Sequence, residues 1–262
     1  MGGVAGLALG SDGAALLASR RPVHFLSMSG FALHSDGSAP ETWTGRADAG
    51  ADGERPTLHA RHVDDGAITI DGAADEAAWK NASAVTFDTD WSGAKAGAST
   101  SVRAAWSKSA LYMSWYVADA GFFVDQSRPI KTEREKLYEE DCVELFLAPD
   151  PAERTRYFEV EVGPLGHFFD IAVDKKRKKS DTAWSSLPEI ATRLDRQRHN
   201  ATIELALRSP DILRVLKAGA KLPFALYRME GKSPRLYLAW SPTRTPKPDF
   251  HVPEAFGTLS LE

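Results

Sequence analysis

The chain has 262 residues, with Lys+Arg 32 against Asp+Glu 36 and a net charge of -4, so no global basic excess exists to hold a nucleic acid. Its single cysteine, Cys142, excludes an internal disulfide and a cysteine-based zinc site. No run of about 18 apolar residues occurs, which excludes a membrane-spanning helix.

Composition shifts early along the chain. Ten of the 20 glycines fall within residues 1–55, and the first lysine is Lys80. Residues 1–60 carry scattered apolar side chains with no sustained period, too little buried surface to offset ordering entropy, so they predict a disordered lead-in to one domain at 61–262. Residues 1–19 make a poorly formed secretory signal: no positive n-region exists, and Ser11, Asp12 and Gly13 break the apolar stretch. Met28 is an alternative start.

From about residue 66 the pattern turns to short strands between turn residues. Ile68–Asp71 reads as a strand ending in Asp71-Gly72, followed by a helical turn that brings Trp79 onto the body. Residues 100–106 and 111–118 read as a hairpin across Ser107-Lys108-Ser109, and 142–147 with 157–162 as another. Strands at 167–173, 201–207, 223–229, 236–240 and 257–261 follow, with one short helix at 210–218. Many short strands at this spacing predict an all-β fold, an antiparallel β-sandwich or jelly roll with one or two short helices.

Alternation in the second hairpin separates two faces. Val143, Leu145 and Leu147 share one face with Phe158, Val160 and Val162, while Glu144, Glu159 and Glu161 occupy the other. One sheet therefore has an apolar inner face and an outer face displaying carboxylates, either solvated or used for a polar ligand. Nucleotide-binding glycine loops and the G-x-S-x-G elbow are absent from the sequence. His59 and His62 have metal-ligand spacing but no third ligand, and Cys142, mid-strand in an apolar run, reads as core. The run Lys175–Lys179 reads as a solvated loop. Of the seven tryptophans, Trp79, Trp106, Trp115 and Trp240 are assigned to packing, and Trp43, Trp91 and Trp184 to loops. The acidic cluster shows proximity without the opposition that glycoside hydrolysis needs, so no catalytic residues are assigned.

Four segments, taken in order, resemble the carbohydrate-binding module family 9 group, a DOMON-like jelly-roll β-sandwich. ITIDGAADEAAW is similar to its opening I-D-G-x-x-D-E-x-x-W, and SVRAAWSKSALYMSWYVAD to its V-R-x-x-W hairpin. YEEDCVELFL is similar to its aromatic-x-x-D-x-V-E-x-F motif, and LAWSP with DFHVPEAFGTLSL to its C-terminal signature. The resemblance implies a noncatalytic module that binds an oligosaccharide or polysaccharide end in carbohydrate catabolism, outside the cytoplasm, beside a glycosidase that is a separate polypeptide. It places two sugar-stacking aromatics at Tyr138 and Phe250 and polar contacts at Glu144, Glu159 and Glu161. Tyrosine and phenylalanine stand where the sugar binders have tryptophans, and the neighbouring strand carries two carboxylates in place of basic and amide groups. Arg228, beside Tyr227, and Arg103 are the expected counter-charges to this acidic patch. Structural calcium occurs in some members; Asp119, Asp141 and the Asp88/Asp90 pair are candidate ligands, with a spacing that fits no recognised calcium loop. Two rival readings are a degenerate module acting as a protein-interaction or structural domain, and a haem-binding electron-transfer domain using Met113, Met229 and His167.

Overall fold

The computed structural model describes residues 55–118, 122–130 and 132–262. Most of the lead-in, with Met28, Trp43 and the signal-like segment, lies outside the described residues, as does Asp119. In chain order the elements are β1 (Thr57–His62), α1 (Ala77–Asn81), β2 (Ala84–Thr89), β3 (Lys95–Trp106), β4 (Leu111–Ala118), β5 (Cys142–Leu147), β6 (Arg156–Val162) and β7 (Phe168–Asp174). Then come β8 (Lys179–Asp181), β9 (Pro188–Asp195), β10 (Asn200–Leu207), α2 (Pro210–Leu213), β11 (Lys221–Glu230), β12 (Leu236–Ala239) and β13 (Gly257–Leu261). The fold is an all-β sandwich, and both expected hairpins form, β3 with β4 and β5 with β6.

The strands follow one hydrogen-bonded path, β8-β7-β6-β5-β11-β13-β1-β3-β4-β10-β9, with β12 on β11 and β2 on β3. Its two halves face each other. Val143, Leu145 and Leu147 of β5, Phe158, Val160 and Val162 of β6, and Phe224 and Leu226 of β11 share one buried cluster with Val102 and Ala104 of β3, Met113 and Trp115 of β4, and Ile203 and Leu205 of β10. The inner face read from alternation is thus the centre of the sandwich.

The structure departs from the sequence expectations in several places. The sheet is not purely antiparallel, because β1 runs parallel to both β13 and β3 and joins the halves. β1 begins at Thr57, ahead of residue 61, with Leu58 and Ala60 buried. Ile68–Asp71 forms no strand; its amides turn to side chains, Thr69 N–H donating to Glu76 and those of Asp71 and Gly72 to Glu204. The helix expected at 210–218 is regular only over Pro210–Leu213.

A second layer lies outside the first half-sheet. The segment through residues 248–256 crosses the outer face of β5, β6 and β11, so that Phe250 and Phe256 pack with Phe146, Tyr157 and Tyr227. Gly257 lets this segment return to the sheet: a Cβ there would stand 2.5 Å from the Pro56 carbonyl oxygen and 2.9 Å from the Trp240 ring. Backbone and a buried indole cannot yield, so Gly257→Ala is expected to cost about 1–3 kcal/mol. A lower urea midpoint at unchanged slope would show it.

Candidate functional site

Period-two alternation sends Cys142, Glu144 and Phe146 of β5 outward, together with Tyr157, Glu159 and Glu161 of β6. Register sets Glu144 directly opposite Glu161 on one side and Tyr227 of β11 on the other. Three carboxylates therefore crowd one patch. The outer face is not a solvated surface, because the crossing segment covers much of it and all three glutamates are buried.

A cleft of about 310 Å³ remains between that segment and the sheet. Tyr138, Tyr237 and Phe250 supply its aromatic lining, Glu144, Glu159 and Asp249 its acids, and Phe146, Met229, Pro248 and His251 the rest. Tyr138 stands on a 3-10 turn at Leu137–Glu139 and is 43% exposed. The turn is fixed by the Arg235 guanidinium, which donates to the Tyr138 and Glu140 carbonyls and pairs with Asp141. Tyr138 is thus an accessible ring on an anchored backbone.

Phe250 does not match it as a second open platform. Its ring lies 4.1 Å from Tyr227 at an interplanar angle of 7°, and the residue is 5% exposed. One face is spent on the protein, leaving the edge beside Tyr237. Tyr227 itself is fully buried behind Phe250, with no hydrogen-bond partner for its hydroxyl. Glu161 stands beside Glu144 on the same face but is not in the lining.

The two expected counter-charges stand elsewhere. Arg228 pairs in register with Val143, so it points into the sandwich, where it donates to Ser99 and Thr100 and forms an ion pair with Glu230. Arg103 is on β3, separated from β5 by β11, β13 and β1, and faces Ser114 of β4 across the ladder. Neither lines the cleft. The residues that sequence reasoning missed are Tyr237, Asp249 and His251. Only Tyr237 had a local signal: in β12 it alternates with the buried Leu238, which assigns it outward.

With no guanidinium among the described lining residues, burial dominates the electrostatics. Burial and the neighbouring Glu159 charge push the Glu144 carboxyl well above the usual range. Glu159 is pushed up to about 7 by burial, partly offset by a hydrogen bond with Glu161. Burial and the charges of Glu144 and Glu159 raise Glu161 as well. No donor reaches Glu159 Oε2 or Glu161 Oε2. His251 exchanges a 2.7 Å hydrogen bond with the Tyr157 hydroxyl through Nδ1, and burial lowers its pKa, favouring the neutral ring.

The same face carries one group of potential metal ligands. Cys142 Sγ and carboxylate oxygens of Glu144 and Glu161 lie within 4.8 Å of one another. Burial raises the thiol far above its ordinary value, and its proton is directed at Glu144 Oε1, so this mixed trio is a poor thiolate site. Cys142 packs as core, as expected. The calcium candidates do not fit either. Asp88 pairs with Lys95, Asp90 accepts from Ser92 and Ala94, and Asp141 accepts from Phe123 and Gly231. The haem ligands are dispersed: Met113 is in the central core, Met229 in the outer layer, and His167 bonds the Arg128 carbonyl. Trp79, Trp106, Trp115 and Trp240 are buried, Trp184 stacks on Phe158, and Trp91 meets Tyr237 edge-on behind the cleft.

The family described as "Carbohydrate family 9 binding domain-like" matches residues 70–262. Among curated proteins no significant match is found. A protein of Bacteroides uniformis ATCC 8492 superposes with a TM-score of 0.64 at 19% identity, over 79% of this chain and 99% of that one. A family 9 carbohydrate-binding module of Caldicellulosiruptor kristjanssonii in complex with cellotriose gives 0.56 at 16% identity, over 79% and 94%. The same organism's module in complex with glucose gives 0.55 at 16% identity, over 79% and 96%. At these identities the likeness is one of fold.

Proposed function

From the premise that the chain belongs to the carbohydrate family 9 binding domain-like family, we propose that it is a noncatalytic module that binds the end of an oligosaccharide or polysaccharide in the cleft beneath Tyr138. The observation that carries this reading is the exposed Tyr138 ring over a floor of hydrogen-bonding carboxylates, a stacking surface and polar groups within one sugar's reach. The pyranose C–H face would lie on Tyr138, with Tyr237 and the Phe250 edge bounding the opposite side, and hydroxyls would donate to Glu144 and Glu159. The three glutamates share one sheet face, and the family whose model matches is one of binding domains, which supports binding without hydrolysis. A module for polysaccharide ends in glycan breakdown would meet its ligand outside the cytoplasm. No helix among the described residues is long and apolar enough to cross a membrane.

One open ring and a shallow cleft make few contacts, so dissociation constants on the order of micromolar to millimolar are expected. Titration calorimetry of the full chain with cellobiose, xylobiose and their reduced alditols tests the reading. Saturable heat with the sugars, weakened by the alditols and reduced at least about ten-fold in affinity by Tyr138→Ala, is the expected result. Absence of heat with every sugar would overturn it and favour the interaction-module reading, which the ring lost to Tyr227 already favours.

A further inference from the structure

Glu144, Glu159 and Asp249 line the cleft, Glu161 adjoins Glu144 on the same sheet face, and neither Lys nor Arg is among its described lining residues. Cross-strand pairing of Glu144 with Glu161 sets two like-charged groups directly opposite each other, an unfavourable arrangement unless protons or a counter-ion intervene. The protein's own cations offset this only in part: Arg235 lowers the Glu144 pKa through space, yet burial and the Glu159 charge still hold that carboxyl well above its usual range. Arg235 is engaged by Asp141 and by three carbonyls beyond the floor, and Arg228 lies on the other face of β11. His251 Nε2 stays 3.9 Å from Glu159 Oε2, and its ring is biased toward neutrality. Glu159 Oε2 consequently has no donor although the residue is almost wholly buried and borders the cleft.

We propose that the missing counter-charge comes from the ligand, and that the cleft selects an amino sugar with a free amine, its ammonium seated against Glu144 and Glu159 and its ring face on Tyr138. This deepens the carbohydrate reading and rests on it. A neutral sugar leaves the carboxyls holding their protons or their uncompensated charge, whereas an ammonium brings three donors and a full positive charge that lets Glu144 and Glu159 ionise against it. The Tyr138 and Tyr237 faces add cation–π attraction. N-acetylation removes that charge and enlarges the group, so the free amine and not the aminosugar skeleton is the recognised feature.

Calorimetry of the full chain near pH 7 with the β-1,4 dimer of glucosamine, its di-N-acetylated form and cellobiose tests the assignment. The glucosamine dimer is expected to bind roughly ten-fold or more tightly than either of the others. Glu159→Gln should narrow that ratio, with Glu144→Gln as the second variant if the first fails to fold. Equal or weaker binding of the glucosamine dimer relative to cellobiose overturns the proposal while leaving sugar binding intact. No binding of any of the three overturns both. Equal affinity for spermidine and the glucosamine dimer also overturns it, because the site would then recognise a cation alone.

Discussion

Acidification from about pH 8 to about pH 5.5 should raise the melting temperature of the full chain, by roughly 6–12 °C. The cause is the carboxylate patch. Glu159 titrates at about 7 in the folded protein because burial penalises its charged form, against 4.5 for an ordinary glutamate. A raised acid pKa means that the native state holds its proton where the unfolded chain has released it. The penalty is full above about pH 7, fades as the pH falls through the folded pKa, and is gone below the unfolded one. For Glu159 alone this is on the order of 3 kcal/mol. Glu144 and Glu161 shift the same way through burial and mutual repulsion.

Other groups facing the patch act in smaller or different ranges. His251 has a depressed pKa, so it loses some stability as the pH drops below the unfolded histidine value and trims the gain at the acid end. Tyr157, Tyr227 and the Cys142 thiol are raised from values already high, and stay neutral throughout. Away from the patch, Asp65, Asp125 and Asp174 are lowered, so their effect falls at still lower pH. Glu159→Gln removes one charge from the crowd, so it should raise the melting temperature at pH about 8 by several degrees and flatten the slope. A flat profile in the wild type, or a variant less stable at that pH, would sink the account of uncompensated carboxylates.

What local sequence could show was the parity of each strand, and what it could not show was what lay across the sheet. Alternation in β5 and β6 correctly assigned Val143, Leu145, Val160 and Val162 to the core and the glutamates outward. The burial of those glutamates depends on a segment about a hundred residues later in the chain, a contact that no local pattern encodes. The same distance hid the fate of Phe250, whose ring is claimed by Tyr227 only because β11 sets Tyr227 opposite Glu144. Parity alone separates Tyr227 from Arg228, since successive strand residues face opposite ways; the counter-charge assigned to Arg228 broke that rule. β1 was hidden by its surroundings. Its inward Leu58 and Ala60 alternate with His59 and Arg61, but the stretch is polar and adjoins a glycine-rich flank, and its parallel partners are remote in sequence.

Trp79→Ala should be the most damaging single substitution for stability, and its cause lies on the far half of the sandwich from the cleft. The indole is fully buried in a small cluster with Ile68, Ala105, Tyr112 and Ala206, on the outer face of β3, β4 and β10. Its Nε1 donates to Glu204 Oε1 at 2.8 Å, while Glu204 Oε2 accepts from Gly72 N–H at 2.6 Å and Asp71 N–H at 3.2 Å. One buried carboxylate on β10 thus holds both ends of the Asp71-Gly72 to Trp79 segment. Gly72 fits there at φ 84°, with a Cβ position 2.9 Å from the Thr192 carbonyl carbon that no larger residue could take unstrained. Removing the indole opens a cavity and strips Glu204 of a donor, a loss of about 3–5 kcal/mol, or a drop of roughly 8–15 °C in melting temperature. Trp79→Phe keeps most of the volume and loses only the hydrogen bond, so about 1–3 kcal/mol is expected. The indole's hydrogen bond also holds the Glu204 pKa down against burial, so the phenylalanine variant should lose progressively more stability as the pH rises through the glutamate range. Below the transition, sugar affinity should survive in both variants, because the cleft draws on β5, β6, β11 and β12 and on the 248–251 segment. If Trp79→Ala unfolds at the wild-type temperature, the segment is an ornament on the sheet and Glu204 is not its anchor.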